Sequence, residues 1–191
     1  RGIIHPIPFL PPKTESLEFL KNDGMIMDDS FQKDQSNLDM FFQMFDWVDE
    51  DISELNEDEE NEVGSYECLF IAFNNLRSYC KQINLDFYQM EDQYLESVDP
   101  KQSNEKFWDQ DMDSIYSELD ALAGFGKLLE TIENAFSEYE KFCEKSDEVF
   151  DEWHCVLIMY SFLRKHCDKI GIDYSLLKKE IMTLQDEMVE E

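Results

Sequence analysis

The feature that most constrains the fold is a segment that is apolar on nearly all sides when it is drawn as a helix. It covers residues 146–170, SDEVFDEWHCVLIMYSFLRKHCDKI. Apolar residues recur along it every three or four positions, which is the period of an α-helix, and further apolar residues fill the other faces. A helix of this kind lies inside a bundle rather than on its surface. We therefore expect residues 146–170 to form a buried central helix.

The two ends of this segment agree with a helix. Acidic residues such as Asp147 and Asp151 cluster at its beginning, where the helix dipole is positive. Basic residues such as Arg164 and Lys169 cluster near its end, where the dipole is negative. Gly171 follows, and glycine is the residue that most often stops a helix. The predicted central helix therefore has both a start and a stop.

Other segments also carry apolar residues at helical spacing, and none shows the alternation of a β-strand. One stripe after Ser36 consists of Leu38, Phe41, Phe45, Val48, Ile52 and Leu55. Similar stripes begin near Ser65, Phe87 and Trp108, and Asp173 is expected to cap the last helix. The stretch Gly124-Phe125-Gly126 is predicted to be a turn or hinge. The sequence thus predicts an all-α, single-domain bundle of about six to seven helices around the buried central helix.

The first residues differ from the rest of the chain. Residues 1–13, RGIIHPIPFLPPK, are rich in proline, which favours an extended, polyproline-like arm. Thr14 can cap a short helix that ends near Gly24. We therefore divide the chain into an extended Pro-rich N-terminal arm with a short helix (residues 1–24) and an acidic helical bundle (residues 25–191).

The strongest signal in the composition is charge. The chain contains 45 Asp and Glu residues against 16 Lys and Arg, which gives a net charge of −29. Nucleic-acid phosphates and anionic membranes repel such a protein, so we expect it to bind neither directly. A basic protein surface, such as that of a nucleic-acid-binding protein, is the favoured partner. The alternative is an acidic surface that only keeps the protein soluble.

The cysteines indicate the compartment. The chain has five of them without short regular spacing, on or beside apolar helical stripes, as is typical of reduced, buried thiols. Reduced thiols are characteristic of the cytoplasm and nucleus, so we expect an intracellular protein. The longest uninterrupted apolar run, residues 155–160, is too short for a membrane span, and we expect no signal peptide.

Three arrangements could carry chemistry, and each is incomplete. Asp151 and His154 have the spacing found in di-iron bundles, but those sites need a second such pair. The Cys and His spacings lack the short knuckle of structural zinc sites. Residues 109–120 match parts of an EF-hand calcium loop, although Ser114 replaces its glycine, and a solvated helix face is the alternative. We therefore expect no enzyme and no cofactor or metal, with calcium binding by residues 109–120 left open.

Charge and pattern together favour a non-catalytic protein–protein interaction module, an adaptor or complex subunit that binds a basic partner surface. The hydrophobic arm would supply a second contact. The alternative is a nucleic-acid mimic that inhibits a DNA- or RNA-binding protein, as antirestriction and anti-CRISPR inhibitors do, although that likeness is one of composition alone. The residues expected to bind the partner are Phe9, Leu10, Asp46, Asp49, Glu50, Asp51, Glu54, Glu57, Asp58, Glu59 and Glu60.

Overall fold

A computed structural model of the protein describes residues 36–57, 63–97 and 120–189. Within these ranges the chain forms six α-helices and no strand, which confirms the predicted all-α bundle. The helices are α1 (Asn37–Glu57), α2 (Ser65–Gln82), α3 (Phe87–Ser97), α4 (Ala121–Ser146), α5 (Glu152–Ile170) and α6 (Tyr174–Val189). The predicted arm and the stripe that begins near Trp108 lie outside the described residues.

Helix α5 lies at the centre of the bundle, as predicted. It contacts each of the other five described helices, and residues 155–163 are all buried. Helix α2 shares this position, because it also contacts the other five and residues 68–76 are all buried. The sequence pattern had assigned α2 a single apolar face. The core is therefore built on two central helices.

Helix α5 begins later than the sequence predicted. The preceding helix α4 continues to Ser146, and Asp147 adopts a left-handed conformation with φ of 58°. Asp151 then caps α5, because its Oδ1 accepts the backbone N–H of His154 at 3.1 Å. Val149, an apolar residue of the predicted central helix, lies instead in the connection and is 74% exposed. The predicted stop is confirmed, since Gly171 has φ of 80°.

The expected turn at Gly124–Gly126 is wrong, because both glycines lie inside α4. Asp120 caps this helix by accepting the backbone N–H of Leu122 at 3.0 Å. A glycine inside a helix costs about 1 kcal/mol relative to alanine. Burial of Phe125, Leu128 and Leu129 on the same turns contributes about 1.5–3 kcal/mol for each side chain, so packing outweighs the local preference.

Aromatic side chains fix α1 against its neighbours. The predicted stripe is confirmed, with Phe41, Phe45, Val48, Ile52 and Leu55 buried and Leu38 half-buried. The Phe41 ring packs edge-on against Tyr79 of α2, with 5.5 Å between ring centroids, and against Phe136 of α4, at 5.4 Å. The Tyr79 hydroxyl also donates a hydrogen bond to the carbonyl of Asn37 at the start of α1. These contacts set the position of α1.

All five cysteines are free and buried. Burial raises the pKa of the Cys68, Cys80 and Cys167 thiols to about 12. At neutral pH these three residues are therefore protonated thiols that fill the core, and they lack the thiolate that nucleophilic chemistry requires.

His166 of α5 makes the stability of the fold depend on pH. The side chain is 4% exposed and packs edge-on against Phe125, and burial lowers its pKa from 6.5 to about 4. Below pH 6.5 the unfolded chain binds a proton that the folded chain does not, so stability falls until the pH reaches about 4. We expect wild-type protein to lose about 3 kcal/mol more than a His166→Gln variant across this interval, measured by urea unfolding. Parallel pH profiles for the two proteins would contradict this expectation.

Candidate functional site

An acidic surface of the described part of the chain lies along a groove between α1 and α4. The two helices run antiparallel, because Phe45 packs against Phe136 with 5.3 Å between ring centroids, while residues 52–57 face residues 122–126. Phe136 joins the helices at one end, since the rings of Phe41 and Phe42 also contact it. Beyond this contact the helices leave a groove open to solvent.

The groove consists of two adjoining cavities. One, of about 370 Å³, lies next to Phe45, and the other, of about 270 Å³, reaches Glu57 at the end of α1. Asp49, Gly126 and Leu129 line both cavities, so the two are continuous. Together they form one groove that follows the second half of α1 and the first turns of α4.

Carboxylates occupy both rims. On α1 they are Asp46, Asp49, Glu50 and Glu57, and on α4 they are Glu130 and Glu133. All six side chains are exposed, and none of the described residues that line the groove is Lys, Arg or His. Two facing rows of like charge repel each other, which gives the groove a negative potential that a cationic ligand would relieve.

The floor between the acidic rims is apolar. It is formed by the edges of Phe45 and Ile52 from α1 and of Phe125 and Leu129 from α4, each less than 10% exposed. Gly126 lies among them and is exposed, and a methyl group added at its Cα would meet no atom within 4 Å. The missing side chain therefore leaves room at the middle of the groove for an atom of a ligand.

The structure gathers some of the residues predicted to bind a partner and separates others. Asp46, Asp49, Glu50 and Glu57 line the groove, and Glu54 is exposed on α1 outside its lining. Asp51 is half-buried on the side of α1 toward α2, where its Oδ2 accepts a hydrogen bond from Nδ2 of Asn75 at 3.3 Å. The remaining predicted contacts, Phe9, Leu10, Asp58, Glu59 and Glu60, lie outside the described residues.

Three lining residues of α4 were missed by reasoning from the sequence. Glu130 and Glu133 lie three residues apart on the exposed face of α4, but nothing in the sequence indicates that this face lies opposite Asp46 and Asp49. Gly126 was assigned to a turn. The only local signal for its role is a glycine between buried residues in an otherwise strong helical pattern.

Of the residues considered for metal binding, some cap helices, the cysteines and His166 are buried in the core, and residues 109–119 lie outside the described ranges. Asp151 caps α5, and its Oδ1 lies 2.5 Å from Nδ1 of His154. Asp120 caps α4, whereas residues 109–119 are not described. Among the described side chains, no group of three or more His, Cys, Asp or Glu residues could hold a metal ion. None of the described helices combines the length and apolar character needed to cross a bilayer.

Comparison of the chain with protein-family models, with curated proteins and with solved structures finds no match.

Proposed function

We propose that the protein is a non-catalytic interaction module whose α1–α4 groove binds a basic, amphipathic segment of a partner protein. The observation that carries this proposal is the pairing of acidic rims with an apolar floor in one groove. Cationic side chains of the partner would contact Asp46, Asp49 and Glu130, and an apolar side chain would enter the groove beside Gly126. Helix-in-groove recognition of this type uses one apolar face flanked by charged residues.

Typical interaction free energies indicate why both the acidic rims and the apolar floor of the groove would contribute to binding. An ion pair exposed to solvent contributes about 0.2–1 kcal/mol, so the rims alone supply a few kcal/mol and lose most of it at high salt. An apolar side chain buried against the floor adds about 1.5–3 kcal/mol, which salt does not screen. The micromolar range requires about 8 kcal/mol in total. The rims would therefore raise the association rate and select for positive charge, and the floor would supply part of the affinity.

A nucleic-acid mimic is the second candidate, and the two facing rows of carboxylates are the observation that favours it. A mimic needs only negative charge at phosphate-like positions, whereas the apolar floor has no counterpart in a nucleic-acid backbone. Competition separates the two candidates. A mimic would displace DNA or RNA from its target protein, while an adaptor would bind at a surface that leaves the nucleic acid in place.

A defined ligand tests the proposal directly. We expect the protein to bind a synthetic amphipathic helix of Leu and Lys. A helix of Leu and Glu and an all-Lys peptide, both of equal length, should bind more weakly. Binding to the first peptide should weaken as salt is raised but should not vanish. Equal affinity for the Leu–Lys and all-Lys peptides would mean that the apolar floor plays no part.

Gly126 provides a test in which stability and binding change in opposite directions. We expect Gly126→Ala to raise the free energy of unfolding by about 1 kcal/mol, because the position is helical and exposed and the added methyl group meets no neighbour. The same methyl group fills space at the middle of the groove, so affinity for the Leu–Lys peptide should fall by about tenfold. Thermal unfolding and isothermal titration measure the two effects.

The matched control for Gly126→Ala is Ser137→Ala, an exposed position on α4 that does not line the groove. It should leave peptide affinity unchanged. Unaltered binding by the stabilised Gly126→Ala protein would contradict the proposed entry of a partner side chain at this point.

A further inference from the structure

We propose that a second pocket, between α2, α3 and α6, binds a carboxylate or phosphate group carried on a small apolar molecule. The pocket has a volume of about 260 Å³ and shares no lining residue with the α1–α4 groove. Arg77 and Lys81 of α2 form one wall. The chain as a whole has a net charge of −29, yet neither of these two cations forms an ion pair with a carboxylate of the described residues.

Arg77 is the central residue of the pocket. Its guanidinium is half-buried and lies over the Phe87 ring, with 5.4 Å to the ring centroid. Nε donates a hydrogen bond to Gln185, whereas Nη1 is buried without a hydrogen-bond partner among the described residues. In the described part of the chain no carboxylate pairs with it, whereas Lys178 nearby pairs with Glu91 at 2.6 Å. Because Nη1 is closed off from solvent and Nε is already bonded, the donors left for an oxyanion in the pocket are those of Nη2.

The guanidinium is held in place by a buried polar cluster. Gln185 of α6 is 6% exposed, and its Oε1 accepts the hydrogen bond from Nε of Arg77 at 3.1 Å. Its Nε2 donates to Oδ1 of Asn74 at 3.0 Å and to Oγ of Ser78 at 3.2 Å. Since these partners fix the side-chain amide, they also fix the plane of the guanidinium. A ligand would meet an arginine that is already positioned.

The surroundings of Arg77 add positive potential. Lys81 lies one helical turn further along α2, and like charges at this spacing repel each other, which a bound anion would relieve. The N-terminus of α3 also borders the pocket. Asp86 is the one acidic residue among the described lining residues, and its Oδ1 is occupied in capping α3, where it accepts the N–H of Tyr88 at 2.9 Å.

The remaining walls fit an apolar body. Leu85, Phe87 and Met182 line the pocket, and the Tyr88 ring is 53% exposed beside them. A volume of about 260 Å³ lies just below the range of roughly 300–1,000 Å³ that ligand pockets occupy. The expected ligand is therefore an aromatic or branched organic acid or phosphate of modest size, with its oxyanion on Arg77 and its body against these side chains.

The test uses three probes at physiological ionic strength, where the Debye length of about 8 Å screens the distant acidic surface. They are 3-phenylpropionate, phenyl phosphate and the uncharged 3-phenylpropanol, and binding is followed by the amide NMR shifts of residues around the pocket. We expect one or both anions to bind at least about tenfold more tightly than the alcohol, because hydrogen bonds to charged groups carry the difference. The anion that binds more tightly identifies the preferred headgroup.

Variants assign the effect to the pocket. Arg77→Gln keeps a side-chain N–H for Gln185 and should weaken anion binding by about tenfold or more. Lys81→Gln changes an exposed residue of α2 and should weaken anion binding severalfold. The control Lys141→Gln removes an exposed cation of α4 and should change nothing. Equal binding of all three probes, absence of binding up to solubility, or anion affinity unaffected by both pocket variants would overturn the proposal.

Discussion

The triple variant Asp46→Lys, Asp49→Lys, Glu130→Lys is expected to lose binding of a basic amphipathic peptide by at least about tenfold while it keeps the helical circular-dichroism spectrum of the wild type. The three side chains are exposed and lie on both rims of the groove. Each exchange replaces an attraction of about 0.2–1 kcal/mol by a repulsion of similar size, so the three together exceed 1 kcal/mol. Titration of the peptide at low and at raised salt measures the loss.

A control of equal charge separates the groove from the overall field of the protein. The variant Asp92→Lys, Glu144→Lys, Asp168→Lys changes three exposed acids that do not line the groove and has the same net charge as the groove variant. If net charge alone attracts the partner, the two variants lose affinity equally, and the α1–α4 groove is not the binding site. If the groove is the site, the control variant binds nearly as well as the wild type.

The second large effect concerns the aromatic contacts that hold α1 in place. Phe41→Ala is expected to lower the free energy of unfolding by about 3–5 kcal/mol, because truncation of a fully buried Phe loses apolar burial and leaves a cavity. The Phe41 side chain is 0% exposed and contacts rings of α1, α2 and α4. Urea unfolding, followed by circular dichroism, gives the change. Since total stabilities are about 5–15 kcal/mol, the variant should be markedly weakened.

Phe142 of α4 is the matched control for Phe41. It is 39% exposed and packs against the ring of Tyr139 at one edge of the bundle. Phe142→Ala should therefore cost about 1 kcal/mol or less. A loss for Phe41→Ala no larger than that for Phe142→Ala would show that the ring contacts of Phe41 contribute little to stability.

Local chemistry made much of the fold predictable. The period of apolar residues placed Phe41, Phe45 and Ile52 on one buried face because that period depends only on the geometry of a single helix. The ends at Asp173 and Gly171 were predictable for the same reason. A capping carboxylate or a left-handed glycine acts within a few residues, as the 2.9 Å hydrogen bond from Ser175 N–H to Asp173 shows.

Local chemistry also produced the errors. Gly124 and Gly126 indicated a turn because glycine disfavours helix, but buried neighbours on the same turns outweighed that preference. The start of α5 was predicted too early, because acidic residues from Asp147 onward all suit a helix N-terminus. Only the left-handed backbone at Asp147 and the hydrogen bond to Asp151 select the actual start at Glu152.

The sequence by itself determined that this protein is an acidic, all-α bundle and which face of most helices is buried, because both properties follow from composition and from a period of 3.6 residues. Tertiary structure alone decided that Glu130 faces Asp46 across a groove, that Gly126 opens the middle of that groove, and that Arg77 meets Phe87 and Gln185 in a pocket. Arg77 and Gln185, for example, lie 108 residues apart in the sequence. Their meeting depends on how whole helices pack, which no local pattern specifies.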